Sequence, residues 1–378
     1  MNSRIARTFL IAVTLVLTAG LVFAGGAQEG GTIKIGVSGA HTGDLASYGI
    51  PSMRAAELVA AQVNEAGGIN GTQIELVIED DACKEDQAAN AATKLVGEEV
   101  VAVMGHICSG ATEAALPIYL DAGIVVISPS ATNPPLTKSG NYPNFFRTIA
   151  PDDAQARLQV DYALTELDLS TFAVIHDKGT YGQGLATFAR DFLEDEAGAE
   201  VLLFEGITAG AVDYSAIVNK VENSGADAVI YGGYHPEASK LVTQMKNAGL
   251  DIVFISDDGV KDDTFIQVAK EFAEGVYATG PIDTSDSELA QEAIEAHRTE
   301  YGEDPGPFFL NAYAAMTALV NAIESAGSTE YDAIKNAMTD NFVETALGNI
   351  SFDERGDAIG VGFSMFQVQD GRYVDVVD

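Results

Sequence analysis

The chain of 378 residues has no Trp, two Cys, five His, 11 Pro and only 20 Lys plus Arg. Two Cys cannot build a cysteine-rich metal scaffold, and the His residues are scattered, with no metal-ligand spacing. The shortage of cations against 56 Asp plus Glu leaves a formal charge of −36. Such a surface repels phosphate backbones and anionic lipid, which argues against nucleic-acid and membrane-surface roles. No Gly-x-Ser-x-Gly elbow and no glycine-rich phosphate loop of either common pattern occurs. His106 stands two residues before Cys108 in the pair Cys108-Ser109, a spacing that strand alternation produces by default. The acidic pairs Asp80-Asp81, Asp257-Asp258 and Asp262-Asp263 do not fit a Ca²⁺ loop and read as solvated turns. What remains is globular, with 47 % hydrophobic and 20 % charged residues and a length that suggests two domains.

A single long apolar run is present, residues 9–23, preceded by Arg4 and Arg7 and followed by small residues through Ala24. Basic start, apolar middle and small residues at the end predict a secretory signal peptide over 1–24. The run is short for a membrane span of ~20 residues. Cleavage after Ala24 removes two Arg and no acid, which takes the charge from −36 to −38. No Cys lies near the cleavage region to carry a lipid, so the expected location is the periplasm. In that oxidising compartment the default for Cys83 and Cys108 is one disulfide, worth about 3 kcal/mol for its loop length. The acidity has two readings, high solubility in the periplasm or life in saline surroundings.

Beyond the leader, short apolar strands alternate with amphipathic helices at steps of about 25 residues, the pattern of βαβ units on a parallel sheet. Strands are expected at 33–37, 74–78, 100–104 and 124–127, with helices opened by Pro51, near 86–96 and at 109–121. A loop rich in Pro, Thr and Ser (128–140) and the segment 147–152 interrupt the rhythm. It resumes with strands at 172–175, 201–204, 228–231, 252–255 and 275–278. Long helices follow at 287–301 and 309–326, then short strands near 349–352 and 362–368, which complete the two earlier halves. The expected fold is α/β, two doubly wound parallel-sheet lobes joined by a hinge. Residues 33–150 plus 282–354 form lobe 1, and 151–281 plus 355–378 form lobe 2. Ligands of open α/β sheets bind beyond the carboxyl ends of the strands, so two facing lobes make a cleft.

Eight ordered segments carry a resemblance. They include Asp80-Asp81-Ala82-Cys83, Gly105-His106-Ile107-Cys108-Ser109, Ser128-Pro129-Ser130-Ala131-Thr132, Tyr231-Gly232-Gly233-Tyr234-His235-Pro236-Glu237 and Asp258-Gly259-Val260. From about Ile33 onward the chain resembles the periplasmic branched-chain amino acid binding proteins of ABC transporters, with the type I periplasmic-binding fold. The resemblance implies a ligand carboxylate on Ser109, Ser130 and Thr132, in the loop that includes Ala131. It implies an ammonium near Thr132 and Asp258, and aromatic walls from Tyr48, Tyr181 and Tyr234. Phe308 or Phe309 is expected in the side-chain slot. The best-known relatives carry Glu where this chain has Asp258, one methylene shorter; closer lobes, a bridging water or a differently placed amine would each accommodate the difference.

The residues support the same chemistry on their own terms. A zwitterion needs donors for its carboxylate and an acceptor for its ammonium. Ser109 opens a helix after a strand, where its hydroxyl and free backbone N–H groups face an anion. The function expected is capture of a free amino acid, Leu, Ile or Val, and delivery to inner-membrane ABC permease subunits. No catalysis, cofactor, metal or nucleic acid is expected. The alternative is a sensor or regulator of the same fold, binding an amide or amino acid for signalling.

Overall fold

Runs such as Val125–Ser128 are buried at every residue, which strands covered on both faces require. The computed structural model describes residues 31–377 apart from Ala197 and Asn341, so the expected signal peptide lies outside the described residues. The first half is built from β1 (Ile33–Gly39), α1 (Ala46–Glu65), β2 (Ile74–Asp80), α2 (Glu85–Gly97), β3 (Ala102–Met104), α3 (Ser109–Asp121), β4 (Val125–Ser128), α4 (Pro135–Lys138) and β5 (Phe145–Arg147). Its strands form a five-stranded parallel sheet in the order β2-β1-β3-β4-β5. Alternation along the strands divides the packing. Ala102, Met104, Val125 and Ile127 share one core with α1, whereas Val103 and Val126 share another with α2 and α3.

The second half repeats the scheme with α5 (Asp152–Thr165), β6 (Thr171–His176), α6 (Thr180–Asp195), β7 (Glu200–Gly206), α7 (Ser215–Ser224), β8 (Ala228–Gly232), α8 (His235–Asn247), β9 (Val253–Ser256), α9 (Asp263–Ala269) and β10 (Tyr277–Pro281). The chain continues with α10 (Glu288–Tyr301), α11 (Phe309–Ala326), α12 (Tyr331–Asp340), β11 (Val343–Thr345), β12 (Gly348–Phe352) and β13 (Ala358–Ile359). It ends with β14 (Phe363–Gln369) and β15 (Arg372–Asp375). The second sheet runs β15-β14-β10-β9-β8-β6-β7, so its parallel part has the same strand order as the first sheet. In both lobes the order reverses between equivalent strands, β1 and β3 in one and β6 and β8 in the other. A topological switch point there opens a crevice at the carboxyl ends.

Several expectations shift. The second sheet is mixed, because β14 pairs antiparallel with β10 and β15 antiparallel with β14. Helix α1 begins at Ala46, five residues before Pro51, which is buried inside it. Proline there frees only the carbonyl of Ser47, close to the helix start, so the helix continues. An added Cβ at Gly49 would stand 2.0 Å from the Ala40 carbonyl oxygen; the missing side chain lets α1 close onto the end of β1 and bring Tyr48 with it. Strand β13 pairs antiparallel with β12, and β12 packs into the same core as α1 and α11.

Candidate functional site

Six of the expected residues meet in one place. Tyr48, Ser109, Ser130, Tyr181, Tyr234 and Asp258 line one small cavity. Tyr48, Ser109 and Ser130 follow β1, β3 and β4, while Tyr181, Tyr234 and Asp258 follow the equivalent strands β6, β8 and β9. The two switch points therefore face each other. Tyr48 Oη donates to the Gly259 carbonyl at 2.7 Å and Asn133 Nδ2 to the Thr180 carbonyl at 2.9 Å, which hold the lobes together across the cleft.

One wall is polar and belongs to the first lobe. Ser109 is the first residue of α3, where the helix N-terminus offers unpaired N–H groups and positive potential. Ser130 Oγ donates to the Ile107 carbonyl at 2.8 Å, which ties the loop after β4 to the loop after β3. Ala131 and Thr132 are fully buried behind this wall and do not line the cavity. The Ala131 N–H donates to Ser128 Oγ at 2.9 Å, and the Thr132 carbonyl accepts from the Asp152 N–H at 3.0 Å. The loop is anchored from below by Arg147, fully buried, which donates to the carbonyls of Ala131 and Asn133, to Thr137 Oγ1 and to Asp357.

The opposite wall carries the acid. Asp258 Oδ1 accepts from Tyr181 Oη and, at 3.1 Å, from Gln155 Nε2. Burial pushes the Asp258 carboxyl up to about 6, against the hydrogen bonds from Tyr181 and Gln155. Burial, with Asp258 alongside, also drives Asp152 and Asp257 well above the usual carboxylate range. Asp257 Oδ2 accepts from the Gly233 N–H at 2.9 Å and so fixes the turn that presents Tyr234. The phenols of Tyr48, Tyr181 and Tyr234 are held well above 10 by burial and stay neutral donors. Arg147 acts on Asp152 and Lys261 on Asp258 from outside the cavity, whose described lining contains no cation.

The apolar remainder of the lining is Ile107, Cys108 and Phe308, with Gly259 beside them. Between the two Phe candidates, Phe308 lines the cavity and stacks edge-on against Tyr48 at 5.6 Å, whereas Phe309 packs into the core against His297. Phe308 has φ 61° just before α11, a left-handed conformation unusual for a bulky residue and one that turns its ring toward the cleft. The histidines beside the cleft act as loop supports. His106 is bonded to Asp81 at 2.5 Å and Tyr119 at 3.1 Å, and His176 Nδ1 accepts from the Lys178 N–H.

Cys83 and Cys108 form the expected disulfide, with Cα atoms 5.5 Å apart. It joins the loop after β2 to the residue before Ser109, so it braces the polar wall. Replacing both by Ala should lower stability by about 3 kcal/mol for a separation of 25 residues, read as a lower denaturant midpoint; an unchanged midpoint would show the bridge to be idle.

Two lobes with facing switch points and a small two-poled cavity define a ligand-capture protein. The chain belongs to the periplasmic binding protein family, whose model matches residues 32–372. It is 39 % identical over 345 residues, 91 % of this chain and 92 % of the relative, to the leucine-, isoleucine-, valine-, threonine- and alanine-binding protein of Pseudomonas aeruginosa. It is 36 % identical over 334 residues, 88 % of this chain and 90 % of the relative, to the Leu/Ile/Val-binding protein of Escherichia coli K12. Among solved structures, the substrate-binding protein LivJ of Streptococcus pneumoniae in complex with isoleucine superposes with TM-score 0.82 at 31 % identity, covering 91 % of this chain and all of that one. The leucine binding protein LivK of Thermotoga maritima gives TM-score 0.85 at 25 % identity, with 92 % and 98 % covered.

Proposed function

We propose that this chain captures a free branched-chain amino acid, Leu, Ile or Val, between its lobes and hands it to the inner-membrane permease of an ABC importer. The observation that carries the reading is the pairing of poles in one small cavity. Serine hydroxyls and a helix N-terminus stand on the first lobe, and a buried carboxylate with Tyr181 stands on the second. A zwitterion satisfies both poles at once, its ammonium meeting Asp258 inside the cavity. Tyr48, Ile107 and Phe308 give an apolar lining suited to an aliphatic side chain. The names of the relatives support the same ligand class.

In this reading Ser109 and Ser130 bind the carboxylate, with the loop of Ala131 and Thr132 shaping their wall. Asp258 binds the ammonium, and Tyr181, Tyr234 and Tyr48 close the site. Because the poles lie on different lobes, ligand binding favours the closed arrangement, which a permease can distinguish from the open one. The reading places the protein in the periplasm and gives it no catalytic step.

Calorimetry of ligand-stripped protein against the common amino acids tests the reading. One-to-one binding of Leu, Ile or Val is expected, weakened about 10-fold in Ser109→Ala. Absence of heat from every amino acid would overturn it.

A further inference from the structure

Asp258 does not stand free in the wall; a residue outside the cavity grips it. Gln155, one turn into α5 and fully buried, uses all four of its hydrogen-bonding positions. Its Nε2 donates to Asp258 Oδ1 at 3.1 Å and to Asp152 Oδ1 at 3.3 Å. Its Oε1 accepts from the Asp258 backbone N–H at 2.9 Å and from Thr279 Oγ1 at 2.6 Å. Oxygen facing a backbone donor and nitrogen facing two carboxylates fit only one orientation of the amide, so the side chain is fixed as well as buried. Gln159, one turn later, donates to the Ser256 carbonyl at 2.8 Å and holds the base of the same loop.

The consequence falls on the two oxygens of Asp258. Tyr181 and Gln155 both donate to Oδ1, and neither reaches Oδ2. A short acid with one oxygen doubly held presents the other in a single direction. We propose that Gln155 is the positioning residue of the ammonium pole: by gripping Asp258 through Oδ1 and its backbone N–H, it aims Oδ2 at the ligand and so gives the site its preference for a free ammonium. Gln155 touches no ligand itself. This inference rests on the amino-acid reading above and names the residue that makes a shorter acid sufficient.

The test compares leucine with its 2-hydroxy analogue, 2-hydroxy-4-methylpentanoate, which keeps the carboxylate and side chain but has no ammonium. In Gln155→Met, of similar length but without the amide, leucine affinity by calorimetry falls about 10- to 100-fold, while that for the hydroxy acid changes less than about 3-fold. In an Asp258→Asn background the same substitution costs leucine less than about 3-fold, because the group it positions is already gone. Removing the Gln155 bond also removes an interaction that holds the Asp258 carboxyl down, so leucine affinity begins to fall at a higher pH than in the parent. Asp152 on α5, Tyr181 on α6, and Asp257 and Lys261 on the same loop also act on Asp258 and are unchanged in this variant. Gln155→Asn, which withdraws the amide by one methylene, gives the same ligand-selective loss where Gln155→Met folds poorly. Equal losses for both ligands, or an undiminished loss in the Asp258→Asn background, would overturn the role of Gln155 and leave the amino-acid reading standing. A parent protein that binds no amino acid would overturn both.

Discussion

Asp258→Asn lowers affinity for the amino acid by about 30- to 1,000-fold, the largest effect expected of any single change in the cavity. The substitution keeps shape and removes the one charge among the described residues that line the cavity. The ammonium is then desolvated without a counter-charge, whereas Tyr181 and Gln155 keep an oxygen to bond. The pH dependence follows from the same group. Its carboxyl titrates near 6 in the ligand-free protein, because burial disfavours the anion. Ligand affinity is therefore level above about pH 7 and falls as pH drops through 6, and Asp258→Asn removes that fall.

The stability of the ligand-free protein moves in the opposite sense. A folded-state value raised above the unfolded one means that the folded protein binds the proton more tightly, so this group stabilises it at low pH. That contribution is lost as pH rises through about 4 to 6, and the buried anion costs about 3 kcal/mol at neutral pH. Asp258→Asn thus makes the empty protein more resistant to unfolding at pH 7 while it weakens binding, a trade of stability for function. Thermal melts with and without ligand read both effects. A variant that binds as tightly as the parent would remove Asp258 from the ammonium pole.

Arg147→Met lowers stability by about 3–5 kcal/mol, the largest effect expected outside the cavity. The guanidinium is inaccessible and serves four acceptors at once: Asp357, the carbonyls of Ala131 and Asn133, and Thr137 Oγ1. Removing it leaves Asp357 without its partner and takes a donor from the buried carbonyls of Ala131 and Asn133 and from Thr137 Oγ1. Arg147→Lys recovers little, since one ammonium cannot reproduce a planar fork of donors. The polar wall should loosen with the loop, so ligand affinity falls along with the denaturation midpoint. A loss below about 1 kcal/mol would mean that water replaces the guanidinium without penalty.

The sequence made the strand ends legible and left their supports hidden. Ser109, Ser130, Tyr181, Tyr234 and Asp258 each follow an apolar strand, and the strand-end rule for open α/β sheets is enough to gather them. Helix α5 escaped the pattern because it buries Asp152, Gln155 and Gln159 beside Ala156 and Val160. A helix with a polar buried face shows no apolar stripe, so Gln155 gave no signal. Arg147 was equally silent; a lone Arg near a loop reads as surface until its acceptors are known. Phe308 and Phe309 are adjacent and identical, and only the left-handed turn at Phe308 separates cavity from core. Ala131 and Thr132 lie behind the wall because Ser128 Oγ and the Asp152 N–H engage their backbone, contacts made by residues distant in the pattern. Strand β15 and the antiparallel edge of the second sheet depend on where the chain returns after β13, which periodicity does not encode.

A crystal structure of the protein grown with leucine tests the central claim most directly. The account predicts one leucine between the lobes, its carboxylate at hydrogen-bond distance from Ser109 and Ser130 and its ammonium on Oδ2 of Asp258. Its side chain should lie against Tyr48, Ile107 and Phe308. Leucine bound with its ammonium away from Asp258, or outside the cleft, would contradict it.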